Sequence, residues 1–241
     1  MNNKFIFSLK ASLILILLVI AAGATVRVTG SGMGCPDWPK CFGYLIPPTE
    51  KSQIEWKADV FYNTDEVIIV NESLRVAKSD FKSDKEYNSS NWVPYLKHDY
   101  SVFNAYHTWI EFINRLIGAI AGVATLLMFF FSLSYWRKNK IVVFGSLIVV
   151  LGMGFQAWLG KEVVDSNLLP LKITIHMLMA LIILALLVLL LNITTHNLIN
   201  LKNNKKIIYI TIIAFCLTLI QIFSGTQVRQ FIDLQMNQYP N

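Results

Sequence analysis

Five stretches of the chain are long and apolar enough to cross a membrane as helices. They cover residues 6–26, 108–135, 141–160, 172–193 and 207–226. A helix needs about 20 apolar residues to cross the hydrocarbon core of a bilayer. The first run leads into a polar motif and not a clear cleavage site, so we interpret it as a retained helix and not a signal peptide. The pattern predicts an all-α polytopic membrane protein with a four-helix bundle unit, a fifth transmembrane helix and a large loop between helices 1 and 2.

Basic residues decide how these helices are oriented. They cluster before helix 1, between helices 2 and 3 and between helices 4 and 5, as Lys4, Lys10, Arg137, Lys138, Lys140, Lys202, Lys205 and Lys206. The positive-inside rule places such segments in the cytoplasm. We therefore expect a plasma-membrane protein with a cytoplasmic N terminus. The predicted segments are helix 1 in 1–28, an extracytoplasmic loop in 29–106, helices 2–4 in 107–193, a cytoplasmic loop in 194–206, helix 5 in 207–226 and an extracytoplasmic tail in 227–241.

Composition excludes several classes of protein. Of the 241 residues, 54% are hydrophobic and 15% are charged, against roughly 25% charged in a soluble domain. These values exclude a disordered chain, a basic domain that binds nucleic acid and an ordinary cytosolic enzyme, and they make membrane lipid an expected partner. Most of the acidic residues lie in the loop 29–106. That loop is long enough to be only partly ordered, with a solvated surface at residues 80–86.

The cysteines divide by location. Cys216 lies in helix 5 and is interpreted as a packing residue. Cys35 and Cys41 lie together in the segment GCPDWPKC on the predicted outer face, where an oxidising compartment lets a disulfide persist. We favour a disulfide over a metal site, because the short loop contains no histidine or further cysteine to complete a tetrahedral ligand set. The spacing leaves open whether this disulfide is structural or redox-active.

The ends of helices 1 and 5 share a short pattern. Helix 1 ends as Gly23-Ala-Thr-Val-Arg27, and helix 5 ends as Gly225-Thr-Gln-Val-Arg229. A pattern that recurs in this way hints at a duplicated four-helix unit whose copies run in parallel. The chain would then stop soon after the second unit begins.

Polar residues form a stripe on helix 2. His107, Glu111 and Asn114 are spaced i, i+4 and i+7, which places them on one side of a helix. Gly118 and Gly122 extend this stripe as GxxxG, a spacing that permits close approach of a helix or a flat ligand. An ionisable group in hydrocarbon costs at least about 2.5 kcal/mol, so each one suggests a functional role.

Helix 4 carries one histidine near its predicted outer end. His176 lies roughly 6 Å inside that boundary, at a rise of about 1.5 Å per residue, and Glu111 reaches a similar depth. Each residue also has a simpler interpretation. His107 taken alone is typical of a side chain at the membrane interface, and Glu111 could pair with Arg115 at i+4. No residue of helix 4 indicates that His176 faces the interior of the bundle. Taken together, a histidine opposite such a stripe is typical of bundles that hold haem iron.

Five motifs resemble the haem A synthase family. They are TGSGMGCPDWPKCFG from Thr29, IPP from Ile46, WIEFINRLIG from Trp109, QAWLG from Gln156 and ITIHM from Ile173. The likeness runs from about residue 20 to the C terminus, apart from the middle of the loop, and the first motif is the most specific.

The resemblance implies an activity and its partners. Members of that family have eight helices in two repeats and oxidise the C8 methyl of haem O to a formyl group, which gives haem A. The N-terminal repeat holds the substrate and the C-terminal repeat holds haem b, in the half that this chain lacks. The resemblance also implies haem O synthase and cytochrome oxidase assembly as partners, and a homo-oligomer for half-length relatives.

The family's functional residues map onto this chain position by position. Glu111 matches the acidic residue implicated in methyl oxidation, and His176 matches the axial ligand of helix 4. Cys35 and Cys41 match a pair that forms an outer-loop disulfide in many members. By their chemistry, Arg27 and Arg115 at the ends of helices 1 and 2 are expected to bind haem propionates, because guanidinium pairs with carboxylate through two hydrogen bonds.

The chain departs from the family in two ways. The helix 2 histidine is replaced by Asn114, whose amide is a poor ligand for iron. His107 on the same stripe could substitute only if the haem moved, because it would lie roughly 10 Å away along the helix axis. We therefore expect His176 to be the only protein ligand, with water as a possible sixth ligand. The missing second half makes the chain either a fragment or a protein that must oligomerise.

Two other functions stay open at this point. The first is a quinone-linked thiol oxidoreductase in which Cys35 and Cys41 cycle between thiols and disulfide. The second is a non-catalytic haem-binding subunit that assists assembly and needs a partner for the missing helices.

Overall fold

A computed structural model describes residues 3–97, 102–195 and 205–238. It contains five α-helices in the described ranges: α1 (Asn3–Val28), α2 (Ala105–Ser132), α3 (Lys140–Asp165), α4 (Pro170–Thr195) and α5 (Lys205–Gln238). Most of the predicted loop 194–206, including Lys202, lies outside the described residues.

The predicted helical membrane architecture is confirmed. Four helices are long and apolar enough to span a bilayer, namely Asn3–Val28, Ala105–Tyr135, Lys140–Asp165 and Pro170–Thr195. The fifth apolar stretch, Ile212–Val228, is shorter and lies within α5. The helix α5 itself continues past the predicted span 207–226, to Gln238.

Local sequence explains where two of these helices begin. The side chain of Asn104 accepts hydrogen bonds from the amides of Tyr106 and His107 at 3.0 and 3.4 Å, so it caps the first turn of α2. Pro170 occupies the first position of α4, where its missing N–H costs nothing and its fixed φ suits the helix.

The loop between α1 and α2 is folded, so the expectation of partial order is wrong for its described residues. It forms a two-stranded antiparallel sheet of β1 (Phe61–Tyr62) and β4 (Phe81–Lys82). A second antiparallel sheet has the order β2 (Val67–Val70), β3 (Ser73–Ala77), β5 (Trp92–Pro94). The predicted solvated stretch 80–86 is mostly exposed.

Strand β2 separates two apolar clusters, because successive side chains of a strand point to opposite faces. Val67 and Ile69 pack in a cluster with both loop cysteines. Ile68 packs on the other side with Tyr62 and Trp92. The segment that carries these cysteines is therefore part of the core of this small domain.

The chain divides into two compact units. The loop unit comprises Leu18–Ile120 and Gly160–Leu168, and the helical unit comprises Met1–Leu17, Ala121–Leu159 and Leu169–Asn241. Each is described separately below.

Two glycines of α3 set its packing against α4 in the helical unit. A Cβ on Gly145 would lie 2.8 Å from Leu190, and a Cβ on Gly152 would lie 3.1 Å from Met179 and 3.3 Å from Ile183. The atoms met are ends of α4 side chains, so glycine at these two positions leaves room for those side chains against α3. The same antiparallel register brings Gln156, one turn beyond Gly152, against His176.

Candidate functional site

A disulfide joins Cys35 and Cys41 in the loop unit, as predicted. The two residues are 0% and 2% exposed. The disulfide closes the short CPDWPKC segment, which we call the disulfide loop (residues 35–41). Both cysteines are consumed by this bond, and the described residues contain no group of three or more metal-binding side chains.

Arg115 of α2 holds the disulfide loop by its backbone. Its two terminal nitrogens donate to the carbonyl oxygens of Cys35 at 2.9 Å, Asp37 at 2.7 Å and Lys40 at 3.1 Å. A haem propionate would have to compete with these bonds. The predicted role of Arg115 as a propionate partner stays a prediction, and its contacts assign it first to the loop.

Glu111 lies one turn before Arg115 and is 4% exposed. One carboxylate oxygen forms an ion pair with Arg115, so the simpler interpretation of this i+4 spacing describes a real contact. The other oxygen accepts a hydrogen bond of 2.8 Å from the backbone N–H of Cys35. The buried carboxylate is thus fixed by α2 on one side and by the disulfide loop on the other.

The loop approaches α2 most closely at Gly34. The hydroxyl of Thr108 donates to the carbonyl oxygen of Gly34 at 2.8 Å. A Cβ on Gly34 would lie 2.7 Å from the amide nitrogen of Thr108 and would overlap the carbonyl group of His107. Glycine is required here because any side chain would push the loop away from the helix.

Substitution of Gly34 by alanine should therefore loosen the loop. We expect a destabilisation of at least about 2 kcal/mol, as for other clashes forced into packed interiors. The midpoint of thermal unfolding in detergent measures it. Gly154→Ala is the matched control, because a Cβ there would meet no described atom within 4 Å. Equal midpoints for the two variants would contradict this account of Gly34.

Asp37 stabilises the far end of the disulfide loop. Its carboxylate accepts hydrogen bonds from the amides of Phe42 and of Gly43, the latter at 2.8 Å. Burial raises the pKa of Asp37 above its ordinary value, while these amides and the nearby Arg115 oppose the rise. Gly43 has a φ of +80°, a conformation that favours glycine.

His107 also contacts the segment that follows α1. Its Nδ1 lies 2.8 Å from the hydroxyl of Ser31, which lies 2.6 Å from the hydroxyl of Thr29. This chain of polar groups connects the TGSG motif to the start of α2. His107 therefore has a structural partner, and its role as a haem ligand stays a prediction.

Asn114 replaces the family's histidine and faces α1 in the loop unit. Its side-chain oxygen is buried without a hydrogen-bond partner among the described residues. It lies 3.8 Å from where a Cβ on Gly23 would be. Arg27, the other predicted propionate partner, is half-buried in the last turn of α1.

The glycines of the helix 2 stripe border open space. A Cβ added to Gly118 or to Gly122 would meet no other described atom within 4 Å. The close approach of a helix or a flat ligand that the GxxxG spacing predicts therefore stays a prediction.

His176 lies in the helical unit, where Gln156 of α3 contacts it. Nε2 of Gln156 donates to the backbone oxygen of His176 at 3.0 Å and lies 3.4 Å from its ring Nε2. The other ring nitrogen, Nδ1, is buried and has no hydrogen-bond partner in the described parts of the chain. Buried polar atoms are nearly always paired, so this imidazole fits a site that binds a further group.

Thr174 connects α4 to α5 one turn earlier. Its hydroxyl lies 2.8 Å from that of Thr226. The two residues are 5% and 2% exposed. This buried pair fixes the start of α4, which carries His176.

Sequence reasoning missed several residues of these sites. Three of them lie in or next to the family motifs, namely Ser31, Gly34 and Thr108. Their spacing along the chain did not indicate that the loop segment around Ser31 and Gly34 contacts the start of α2. Gln156 had a clearer signal, since a glutamine inside an apolar span needs a polar partner. The predicted common layer of Glu111 and His176 stays a prediction.

Comparison with known proteins identifies the family. The chain matches the family model COX15-CtaA, described as cytochrome oxidase assembly protein, over residues 8–88 and 67–241. No solved structure matches.

Three curated relatives are each named heme A synthase. The protein of Shewanella oneidensis is 28% identical over 182 residues, which cover 76% of this chain and 43% of the relative. That of Ehrlichia canis is 29% identical over 227 residues, with 88% and 56% covered. That of Rickettsia prowazekii is 26% identical over 239 residues, with 95% and 63% covered.

This chain spans about half the length of the curated relatives that it matches. The family match nevertheless extends over more than half of the chain. The family inferred from the sequence motifs is thus confirmed, and the protein belongs to the COX15-CtaA family of cytochrome oxidase assembly proteins.

Proposed function

We propose that this protein binds haem O in the membrane and oxidises its C8 methyl group to a formyl group, as a step of haem A biosynthesis. The observation that carries the proposal is His176, a half-buried residue whose buried Nδ1 has no partner among the described residues. It stands at the position that the family motif assigns to an axial ligand, and the names of the relatives agree.

His176 would hold the iron as the only protein ligand. Asn114 is the residue at the second position of the motif, and an amide oxygen binds haem iron poorly. Bound haem would supply the redox chemistry of its iron.

Glu111 would accept a proton released as the methyl carbon is oxidised, or stabilise positive charge that develops there. Its contacts support such a role because they fix the carboxylate in a buried place. Arg115 and the N–H of Cys35 hold both oxygens, so the group is already oriented. In this proposal the disulfide loop is a support for Glu111.

The environment of the protein is part of the proposal. We place it in the plasma membrane with its N terminus in the cytoplasm and the folded loop outside. Its partners would be haem O and haem A, membrane lipid, haem O synthase and the assembly of cytochrome oxidase. A homo-oligomer of such chains would contain more than one haem site. The haem b cofactor of the family would be bound by the C-terminal repeat of full-length members.

Conversion of haem O in cells that express the protein tests this function. The full chain is expressed with a haem O synthase, and the extracted pigments are separated by chromatography. We expect haem A in cells that carry the chain and haem O alone in cells that lack it. Haem b without any haem O or haem A on the protein would instead favour the non-catalytic haem-binding subunit.

The rival thiol chemistry is disfavoured by burial. Thiol–disulfide exchange needs direct access of an attacking thiol to a sulfur atom, and Cys35 and Cys41 are 0% and 2% exposed. The disulfide instead forms part of the core of the folded loop.

The double variant Cys35→Ser/Cys41→Ser separates the two chemistries. We expect a loss of stability of about 2 kcal/mol, the amount typical of a short disulfide-closed loop, and a partial loss of haem A formation. Thermal unfolding and pigment analysis measure the two effects. If the variant is as stable as the parent and forms no haem A, the cysteines take part in the chemistry and the supporting role is wrong.

A further inference from the structure

His107 belongs to a chain of hydrogen bonds in which every proton can be placed. The hydroxyl of Thr29 lies 2.8 Å from the backbone oxygen of Thr25, and a carbonyl oxygen can only accept a hydrogen bond. Thr29 is therefore the donor in this bond, and its single hydroxyl proton is used. The hydroxyl oxygens of Thr29 and Ser31 lie 2.6 Å apart, so Ser31 must donate in the second bond.

The last bond of the chain fixes the tautomer of His107. Its Nδ1 lies 2.8 Å from the hydroxyl oxygen of Ser31, whose only proton is already donated to Thr29. Nδ1 must therefore carry a proton and donate it to Ser31, and Nε2 of the neutral ring then holds a free lone pair. Ser31 is 0% exposed and accepts from the histidine, so it is not a nucleophile that the histidine activates.

Nε2 of His107 is open to a further partner. It makes no hydrogen bond to a described residue, and it is not one of the buried side-chain atoms that lack one. A proton that binds to Nε2 leaves the bond from Nδ1 to Ser31 intact, because both nitrogens of a charged imidazole are donors. His107 can thus gain and lose a proton while Ser31 holds its ring.

Glu111 lies one turn further into the span on the same side of α2. Four residues correspond to roughly 6 Å along the helix axis, and side chains at i and i+4 are neighbours on a helix. The same loop segment binds both residues, since Ser31 contacts His107 and the backbone N–H of Cys35 contacts Glu111. His107 therefore lies between the buried carboxylate and the end of α2 that joins the folded loop.

The other groups around Glu111 are unsuited to carry a proton away from it. Arg115 stays charged, because a guanidinium does not lose its proton in proteins, and the N–H of Cys35 belongs to a peptide bond. Asp37 can titrate, but two amides of the loop itself bind its carboxylate. Histidine is also the side chain that most readily exchanges protons near neutral pH.

We propose that His107 is a proton relay, which takes the proton that Glu111 receives and passes it to water beyond the end of α2. The O–H bond of Glu111 breaks as an N–H bond forms at Nε2, directly or through a water molecule. The charged ring then releases this proton to bulk water and returns to its first tautomer. No electron moves in this step. The inference rests on the proposed function, because it needs Glu111 to accept a proton during the oxidation of haem O.

Nitrogen-15 NMR of the full chain tests the tautomer without any turnover. The protein is labelled only at its histidines, of which the sequence has four, and the signals of His107 are those missing from His107→Ala. At high pH we expect a protonated Nδ1 and an unprotonated Nε2. At low pH we expect a second proton at Nε2. A neutral ring protonated at Nε2 would overturn the inference.

The rate of haem A formation tests the relay itself. His107→Ala should keep its haem O but form haem A at least about 10-fold more slowly, since a positioned proton-transfer group contributes about 10²- to 10⁴-fold and water replaces part of it. Added imidazole should restore part of the rate, because a small base can carry the proton instead. Tyr106→Phe is the matched control. It keeps the ring whose centre lies 5.6 Å from that of His107, and it should leave the rate unchanged.

The outcomes separate this inference from the function on which it rests. A His107→Ala protein that forms haem A at the parent's rate would overturn the relay and leave the proposed function standing. A slower His107→Ala protein that imidazole does not rescue would assign His107 to structure alone, which also overturns the relay. If the parent forms no haem A, the proposed function fails and the relay fails with it.

Discussion

Replacing His176 by alanine should abolish stable haem binding. The imidazole is the only protein ligand in the proposed site, and even the partners that orient such a ligand contribute about tenfold or more to metal affinity. We therefore expect a loss well beyond tenfold in the ratio of haem to protein after purification. Quantitative haem extraction measures this ratio. A His176→Gly protein should regain haem absorbance when free imidazole is added, because the small molecule can replace the missing ring.

His107→Ala is the matched control for this prediction. His107 lies in the first turn of α2, and its Nδ1 contacts the hydroxyl of Ser31. Its removal should lower stability slightly and leave the haem spectrum unchanged. The opposite pattern, with haem lost from His107→Ala and retained by His176→Ala, would move the ligand to α2 and refute the assignment.

Replacing Glu111 by glutamine should stop the chemistry and spare the binding of haem O. Proton transfer by a positioned side chain contributes about 10²- to 10⁴-fold to a rate, so we expect haem A formation to fall by at least about 100-fold. The time course of haem O and haem A, extracted from the loaded protein, measures the effect. Haem occupancy should stay close to that of the parent.

A second variant is needed because Glu111 also has a structural role. Glutamine would leave the Arg115 charge buried without its partner, which costs about 3 kcal/mol. Arg115→Lys disturbs the same network from the other side. It keeps the charge and the carboxylate, but the three N–H donors of an ammonium group are too few for three loop carbonyls and Glu111 together. If Glu111 only supports the loop, both variants should lose stability and haem A formation in parallel. The chemical role requires Glu111→Gln to lose far more activity than its stability predicts.

The helices could be predicted from the sequence because their signal is local. Each span is a continuous apolar run, and a bilayer demands such a run. The sheets of the loop were harder, since the strand Val67–Val70 is short and apolar on both faces. Its two faces pack in two different clusters, so it shows no alternation of polar and apolar residues.

The contacts of the site depend on residues far apart in the chain. Glu111 and Cys35 are 76 positions apart, and their hydrogen bond forms only when the loop folds back on α2. The sequence offered the i+4 pairing of Glu111 with Arg115, which the structure contains. It could not show that Arg115 also binds the loop carbonyls, because every residue has a backbone carbonyl and the sequence does not indicate which of them accept a hydrogen bond.

The contact between Gln156 and His176 depends on helix register. Gly145 and Gly152 of α3 lie beside Leu190, Met179 and Ile183. Only the structure shows these α4 side chains beside α3 and brings Gln156 beside the histidine. The sequence showed that Gln156 is a polar residue in an apolar span, but it did not indicate that His176 is its partner.

The pigment that the purified full chain carries tests the central claim most directly. The protein is made in cells that synthesise haem O, purified in detergent, and its pigments are extracted and identified by chromatography and mass. The account predicts that haem O or haem A copurifies with the chain and is lost from His176→Ala. A folded but colourless protein that takes up no haem O when it is added afterwards would contradict the account.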